Sequence, residues 1–248
     1  AVKINPKNHN IVYAAAIGQP FSSNSERGLF KTTDGGETWN KILFISDKIG
    51  IVDIEFSPDN PDIIYAASWE VDRKPWTIVS GSKEGGIYKS IDAGKSWTKL
   101  SEGLPKGNIG KIDLAVTPSD PHRLYALIEA DHGQGGVYVS YNKGLQFKAK
   151  SHRKELVNRP FYYCNIYAHP NNAGIIYSNA NKFMVSKDAG ESWDIKATPH
   201  GDNHDIWINP INDNIWIQSN DGGANVTLNS GKTWTTQFNQ PTAEIYQV

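Results

Sequence analysis

Five times this chain writes nearly the same phrase: a small hydroxyl residue, Asp or Asn, Gly, a small polar residue, then an aromatic. The clearest copies are Thr32-Thr33-Asp34-Gly35-Gly36-Glu37-Thr38-Trp39, Ser90-Ile91-Asp92-Ala93-Gly94-Lys95-Ser96-Trp97 and Ser186-Lys187-Asp188-Ala189-Gly190-Glu191-Ser192-Trp193. Two are worn: Ser140-Tyr141-Asn142-Lys143-Gly144-Leu145-Gln146-Phe147 and Thr227-Leu228-Asn229-Ser230-Gly231-Lys232-Thr233-Trp234. Recurrence at a period of about 40 to 60 residues restricts the chain to repeat architectures.

A second signature lies upstream of each phrase. A short alternating run enters a Pro turn, and an apolar strand with an aromatic follows. Val52-Asp53-Ile54-Glu55-Phe56-Ser57-Pro58 before Ile63-Ile64-Tyr65 is one example, and Ile112-Asp113-Leu114-Ala115-Val116-Thr117-Pro118 before Leu124-Tyr125 is another. Pro6 and Tyr13, Pro58 and Tyr65, Pro118 and Tyr125, and Pro170 and Tyr177 keep one spacing, and Pro210 to Trp216 is a residue shorter. A third short strand precedes each phrase, as in Gly86-Ile87-Tyr88-Lys89, and a fourth begins at the phrase's aromatic. Four short antiparallel strands joined by tight turns make a propeller blade. Helical periodicity is absent. The expected fold is therefore an all-β β-propeller of four-stranded antiparallel blades. Five complete blades are expected, at about 1–46, 47–104, 105–156, 157–198 and 199–240. The run Ala243-Glu244-Ile245-Tyr246-Gln247-Val248, within 241–248, reads as the innermost strand of a sixth. Both ends supply the same strand type and cannot complete one blade between them. A free arc would also expose sheet edges. The expectation is an excerpt of a larger propeller, whose remaining blades are its partners.

Composition removes several function classes. With 25 basic and 26 acidic residues there is no electrostatic footprint for nucleic acid. No apolar run is long enough to span a membrane, and no signal peptide is visible; the chain opens on Ala1. Cys164 is the single cysteine, so neither an intrachain disulfide nor a cysteine-based zinc site is available.

Local physics explains the phrase. Asp or Asn accepts hydrogen bonds from amides of its own turn, Gly supplies positive φ, and the hydroxyls cap the same turn. The aromatic leaves the hairpin to pack between blades. Asp34, Asp92, Asn142, Asp188 and Asn229, with Trp39, Trp97, Phe147, Trp193 and Trp234, are read as scaffold. The phrase resembles the Asp-box, or BNR repeat, of sialidases, xyloglucan-cutting propeller glycosidases, sortilin-type receptors and a photosystem assembly factor. Alternation with the Pro turn is most similar to the secreted sortilin-like or glycosyl hydrolase-like propellers of bacteria. That resemblance implies a secreted, cell-surface or periplasmic location. It covers essentially the whole chain and is specific for fold, since its residues are turn and packing residues.

Strand order separates scaffold from function. Antiparallel strands send the Pro turns and the Asp phrases to one face. The loops between strands two and three, and those between blades, go to the other. The second set varies in length and chemistry, and variable loops on a rigid scaffold are where binding and catalysis concentrate. Repeats one and two carry insertions there: Gln19-Pro20-Phe21-Ser22-Ser23-Asn24-Ser25-Glu26-Arg27, and the run from Trp69 to Ser80 with Trp76 inside it. Exposed Trp69 and Trp76 beside Asp72 and Arg73 suit stacking on sugar rings or anchoring a peptide; packing as local core is the other reading. Around the channel mouth the densest segment is His200-Gly201-Asp202-Asn203-His204-Asp205. It could hold a divalent metal through His200, Asp202 and His204, with Asp221 as a further ligand. It could equally supply acid and base groups or hydrogen-bond its own loop. No cofactor is required. Arg159 and Tyr162 form a second candidate, a clamp beside a stacking ring.

Two functions follow. One is a propeller module that binds a glycan or a peptide at the channel mouth. The alternative is a glycoside hydrolase of the xyloglucanase-like type, which the resemblance implies would face two carboxylates across a cleft. The acids on that face are Asp47, Glu70, Asp72, Glu129, Asp131, Asp202, Asp205 and Asp221, of which Asp202 and Asp205 are the first choices. A purely structural module of a large surface protein is a third option. The binding reading is preferred because it needs no catalytic pair.

Overall fold

A computed structural model describes residues 1–238; the run at 241–248 lies outside the described residues. The chain is a β-propeller of antiparallel blades. The first blade is β1 (Val2–Ile4), β2 (Val12–Ala16), β3 (Gly28–Thr32) and β4 (Asn40–Leu43). The second is β5 (Ile49–Ser57), β6 (Asn60–Lys74), β8 (Gly86–Ser90) and β9 (Thr98–Leu100), with β7 (Thr77–Ser80) added to the far end of β6. The third is β10 (Ile109–Val116), β11 (Leu124–Ala130), β12 (Gly136–Ser140) and β13 (Phe147–Ser151), followed by a 3₁₀ turn at Lys154–Val157. The fourth is β14 (Asn165–Ala168), β15 (Ile176–Asn179), β16 (Phe183–Ser186) and β17 (Asp194–Lys196). The fifth has β18 (Asn203–Ile208), β19 (Trp216–Asn220) and β20 (Gly223–Thr227).

Two details differ from the sequence reading. Among the described residues the fifth blade lacks a fourth strand; Thr235 alone bonds Val226, at 2.9 Å. Gln237 instead turns inward to donate to Asn220 and Asn225 at 2.7 and 2.6 Å. The insertion of the second repeat, read as a loop, is a hairpin: β6 continues to Lys74 and β7 returns, pairing Val71 with Ser80 and Lys74 with Thr77. The β-branched residues Val71, Thr77, Ile78 and Val79 favour the extension.

Every phrase builds the same turn. In the second copy Ser90 Oγ accepts from Gly94 N at 2.8 Å and donates to Asp92 Oδ1 at 2.8 Å, while Asp92 Oδ1 accepts from Ser96 N at 2.9 Å. Asp188 and Asn142 repeat the pattern with Ser192 and Gln146. These bonds hold the Asp92 and Asp188 carboxyls down at about 2, chiefly through the hydroxyls of Ser96 and Ser192. The residue before each phrase glycine takes positive φ even where it has a side chain (Ala93, Lys143, Ala189, Ser230). That conformation aims its amide at the Pro turn of its own blade: Gly35 at Asn10, Ala93 at Asp62, Lys143 at His122, Ala189 at Gly174 and Ser230 at Asn214, all at 2.8–3.0 Å. Phrases and Pro turns therefore share one end of the blades, as strand order requires.

Blades join through apolar clusters and two recurring polar bonds. Tyr13, Leu29 and Leu43 pack on Ile54, Ile64 and Ala66; the later junctions have the same form. The phrase aromatics Trp97, Phe147, Trp193 and Trp234 sit in the junctions to the preceding blades, while Trp39 in the first blade is exposed. The strand-two tyrosines cross the junctions: Tyr13 OH donates to Ala93 O at 3.1 Å, Tyr65 OH to Lys143 O at 3.2 Å and Tyr125 OH to Ala173 O at 2.8 Å. On the innermost strands, Asp53 Oδ2 accepts from Leu114 N at 2.8 Å and Asp113 Oδ2 from Ile166 N at 2.7 Å.

Asp113→Ala leaves the Ile166 amide buried without an acceptor. It is expected to lower the free energy of unfolding by about 1–3 kcal/mol, with Asp113→Asn costing less because it keeps an acceptor at that place. Urea unfolding checks this; an unchanged midpoint for Asp113→Ala would count against the junction bond.

Candidate ligand-binding site

The five innermost strands wall a cavity of about 500 Å³ along the propeller axis. One wall is charged. Lys3 Nζ donates to Glu55 Oε1 at 2.8 Å, and Asp53 and Asp113 stand on the neighbouring strands β5 and β10. Burial, reinforced by the Asp53 charge, pushes Glu55 up to about 7. Burial also raises Asp113, with Asp53 adding to it. Asp53 and Asp113 are wall supports: Asp53 takes two backbone amides, from Ile54 at 2.7 Å and from Leu114, and Asp113 takes Ile166. Asp53 and Asp113 stand five positions before their turn prolines, and so do Asn165 and Asp205. That shared position was a legible signal in the repeat that the sequence reading did not use. It places Asp205 in the channel wall, where it accepts from Ile206 N at 2.7 Å and from the buried hydroxyl of Tyr167.

At the mouth, blades four and five converge. Tyr163, buried and not foreseen, is the hub. Its hydroxyl donates to Asp202 Oδ1 at 2.9 Å and accepts from Arg159 Nη1 at 3.3 Å. Asn181 Nδ2 donates to the same Asp202 oxygen at 2.7 Å. The His204 ring stands edge-on to Tyr163 with centroids 5.6 Å apart, and His204 Nε2 pairs with Asp221 Oδ1 at 2.8 Å. The Arg159 guanidinium lies over Tyr162 at 5.0 Å and over Tyr163 at 5.7 Å. Tyr162 leans on Phe161 and is 49% exposed. Arg159 and Asp202 both hold left-handed backbone, φ 56° and 53°, which costs a non-glycine residue about 1–3 kcal/mol. The structure thus brings together Arg159, Tyr162, Asp202, His204 and Asp221, which the sequence suggested in three separate segments. It adds Tyr163, Asn181 and, in the channel, the half-exposed Trp207.

Two expectations need correction, and one candidate is constrained: Asp202 is an unusually acidic carboxyl. Partial burial opposes ionisation, but bonds from Tyr163 and Asn181 and the nearby Arg159 and His204 charges outweigh it and hold the carboxyl below its usual range. Metal ligation by His200, Asp202 and His204 fails. Among the described residues no three His, Cys, Asp or Glu side chains converge on one point; His200 Nδ1 turns to its neighbour Gly201 O, and His204 to Asp221. Trp69 is core, 5% exposed, because it lies on the paired part of β6, and its Nε1 donates to Ser80 Oγ at 2.9 Å. Trp76, at the hairpin tip, is 80% exposed.

No protein-family profile matches the chain. A stretch of 151 residues is 26% identical to a xyloglucanase of a Paenibacillus species, spanning 57% of this chain and only 12% of that enzyme's length. Among solved structures, the GH74 xyloglucanase from Xanthomonas campestris superposes with a TM-score of 0.66 at 15% identity, over 95% of this chain and 38% of that one. An ancestral GH74 enzyme gives 0.64 at 18% identity, covering 95% and 30% of the two chains. YCF48 from Cyanidioschyzon merolae gives 0.52 at 19% identity, covering 94% and 69%. These likenesses establish the propeller fold. No helix among the described residues is long and apolar enough to cross a membrane.

The buried wall has a pH signature. An unfolded Glu titrates near 4.5 and Glu55 in the fold at about 7. The folded state therefore holds this proton more tightly, and its stabilisation is present below about pH 4.5 and lost as pH rises through about 7. Glu55→Gln, neutral throughout, is expected to lose less melting temperature than the parent between about pH 5 and about pH 8. An equal or larger loss would contradict the assignment.

Proposed function

We propose that this propeller is a glycan-binding module of the Asp-box kind, taking a neutral polysaccharide at the channel mouth formed by blades four and five. The observation that carries this reading is the joining of the Arg159–Tyr162 stack to the Tyr163–Asp202 hydrogen bond and, through the Tyr163–His204 ring contact, to the His204–Asp221 pair. An exposed ring beside fixed donors and acceptors suits a sugar, which offers an apolar ring face and a girdle of hydroxyls. Preformed side-chain bonds keep the ordering cost of capture low. With Asp202 beside Arg159 and Asp221 on the same rim, the rim favours a neutral chain over an anionic one. The 26% identity to a xyloglucanase makes xyloglucan the first polysaccharide to offer and supports a secreted location.

Binding fits the geometry better than hydrolysis. Inverting and retaining glycosidases alike need one carboxyl kept protonated and a second across the bond. Asp202 is held acidic, and Asp205 is hydrogen-bonded to its own strand and to Tyr167. The carboxyls that burial raises, Glu55 and Asp113, sit on adjacent strands of one wall.

Calorimetric titration with xyloglucan should give saturable binding without release of reducing ends. Arg159→Ala and Tyr162→Ala should each weaken it about tenfold, as loss of a stacking or clamping group does. Reducing-end release abolished by Asp202→Asn would favour the hydrolase instead, and capture of peptides but no glycan would favour a peptide receptor.

A further inference from the structure

The insertions of the first two repeats, far from the mouth rim in sequence, behave as one unit. Their link is Arg27, a cation 1% exposed and, among the described residues, without a carboxylate in salt-bridge contact. Its guanidinium is held by backbone carbonyls from three segments. Nη1 donates to Lys48 O at 2.7 Å, and Nη2 to Gln19 O at 3.2 Å, Ser22 O at 3.4 Å and Val71 O at 3.0 Å. Burying a guanidinium this way is costly, and the planar fork is what lets one side chain serve several carbonyls at once. Farther out, Arg73 N donates to Pro20 O at 2.7 Å and Lys74 Nζ to Phe21 O at 3.0 Å. At its base the hairpin is tied to the third blade: Trp69 Nε1 donates to Ser80 Oγ, which donates to Glu129 Oε2 at 2.6 Å, which also accepts Lys111 N at 2.9 Å.

This bracing has an outward consequence. A two-stranded ribbon is marginal alone, yet the unit presents Trp76 at 80% and Phe21 at 62% exposure. Exposed aromatics on a braced support lose little freedom when a ligand covers them. The charged Asp72–Lys74 pair, at 3.0 Å, flanks the tip.

We propose that the paired insertions form a preformed arm that gives a long glycan a second contact beyond the channel mouth, with Trp76 stacking on sugar rings and Arg27 as its positioning residue. This rests on the glycan reading above and extends it to chain length. A polymer reaches both the mouth and the arm, whereas a short oligosaccharide occupies the mouth alone. Arg27 acts through the arm's shape and touches no sugar.

The test compares xyloglucan polymer with a short xyloglucan oligosaccharide, using the whole chain. Trp76→Ala is expected to weaken polymer binding about tenfold and to leave oligosaccharide binding unchanged. Arg27→Lys and Lys74→Met should weaken polymer binding several-fold in the same selective way. They should also move or broaden the ¹⁹F resonance of Trp76 in 5-fluorotryptophan-labelled protein, which an ordinary loss of stability would not do below the unfolding transition. Unchanged polymer affinity in Trp76→Ala overturns the arm while leaving mouth binding intact. An unchanged Trp76 resonance in Arg27→Lys and Lys74→Met overturns the positioning role. A parent chain that binds neither ligand overturns the glycan reading and the arm with it.

Discussion

Side-by-side sheets need something to fix their rotation about the axis, and here it is the bond from an innermost-strand carboxylate to the next blade's backbone amide. Asp53 reaches Leu114 and Asp113 reaches Ile166, at 2.8 and 2.7 Å. Apolar burial at the junctions supplies most of the attraction but is non-directional. A buried acceptor that must find one particular amide is directional. The strand-two tyrosines add a second such bond farther out, from Tyr13, Tyr65 and Tyr125 into the following blade. Together these bonds tie blades one to four to one another around the axial cavity.

A different balance of hydrogen bonding and burial explains the contrasting electrostatics of the two ends. At the turn end, hydroxyls and amides satisfy Asp92 and Asp188, and their acidity rises. In the channel wall, burial dominates at Asp113 and Glu55, and their acidity falls. Raised carboxyls are often read as catalytic. Here repetition argues otherwise for Asp113, which stands at a recurring strand position and already holds the next blade's amide, and Glu55 is paired with Lys3.

Periodicity made most of the fold legible. Recurring Pro turns, aromatics and Asp phrases gave strand order, and strand order separated the scaffold face from the variable one. The mouth was legible in pieces: Arg159, Tyr162, Asp202, His204 and Asp221 were marked by chemistry, but their meeting depends on how blades four and five pack. Tyr163 went unmarked because a buried tyrosine among aromatics looks like core. Trp69 and Trp76 share one insertion and looked alike. Only pairing along β6 separates the buried ring from the exposed one. Arg27 was read as part of a polar loop, since four carbonyls from three segments leave no local trace.

Glycan capture at the mouth of blades four and five is the central claim, and hydroxyl-radical footprinting with and without saturating xyloglucan tests it most directly. Protection of Tyr162 and Trp207, with Trp39 and Leu145 on the turn end unaffected, is the predicted result. Protection confined to the turn end, or none at saturation, would contradict it.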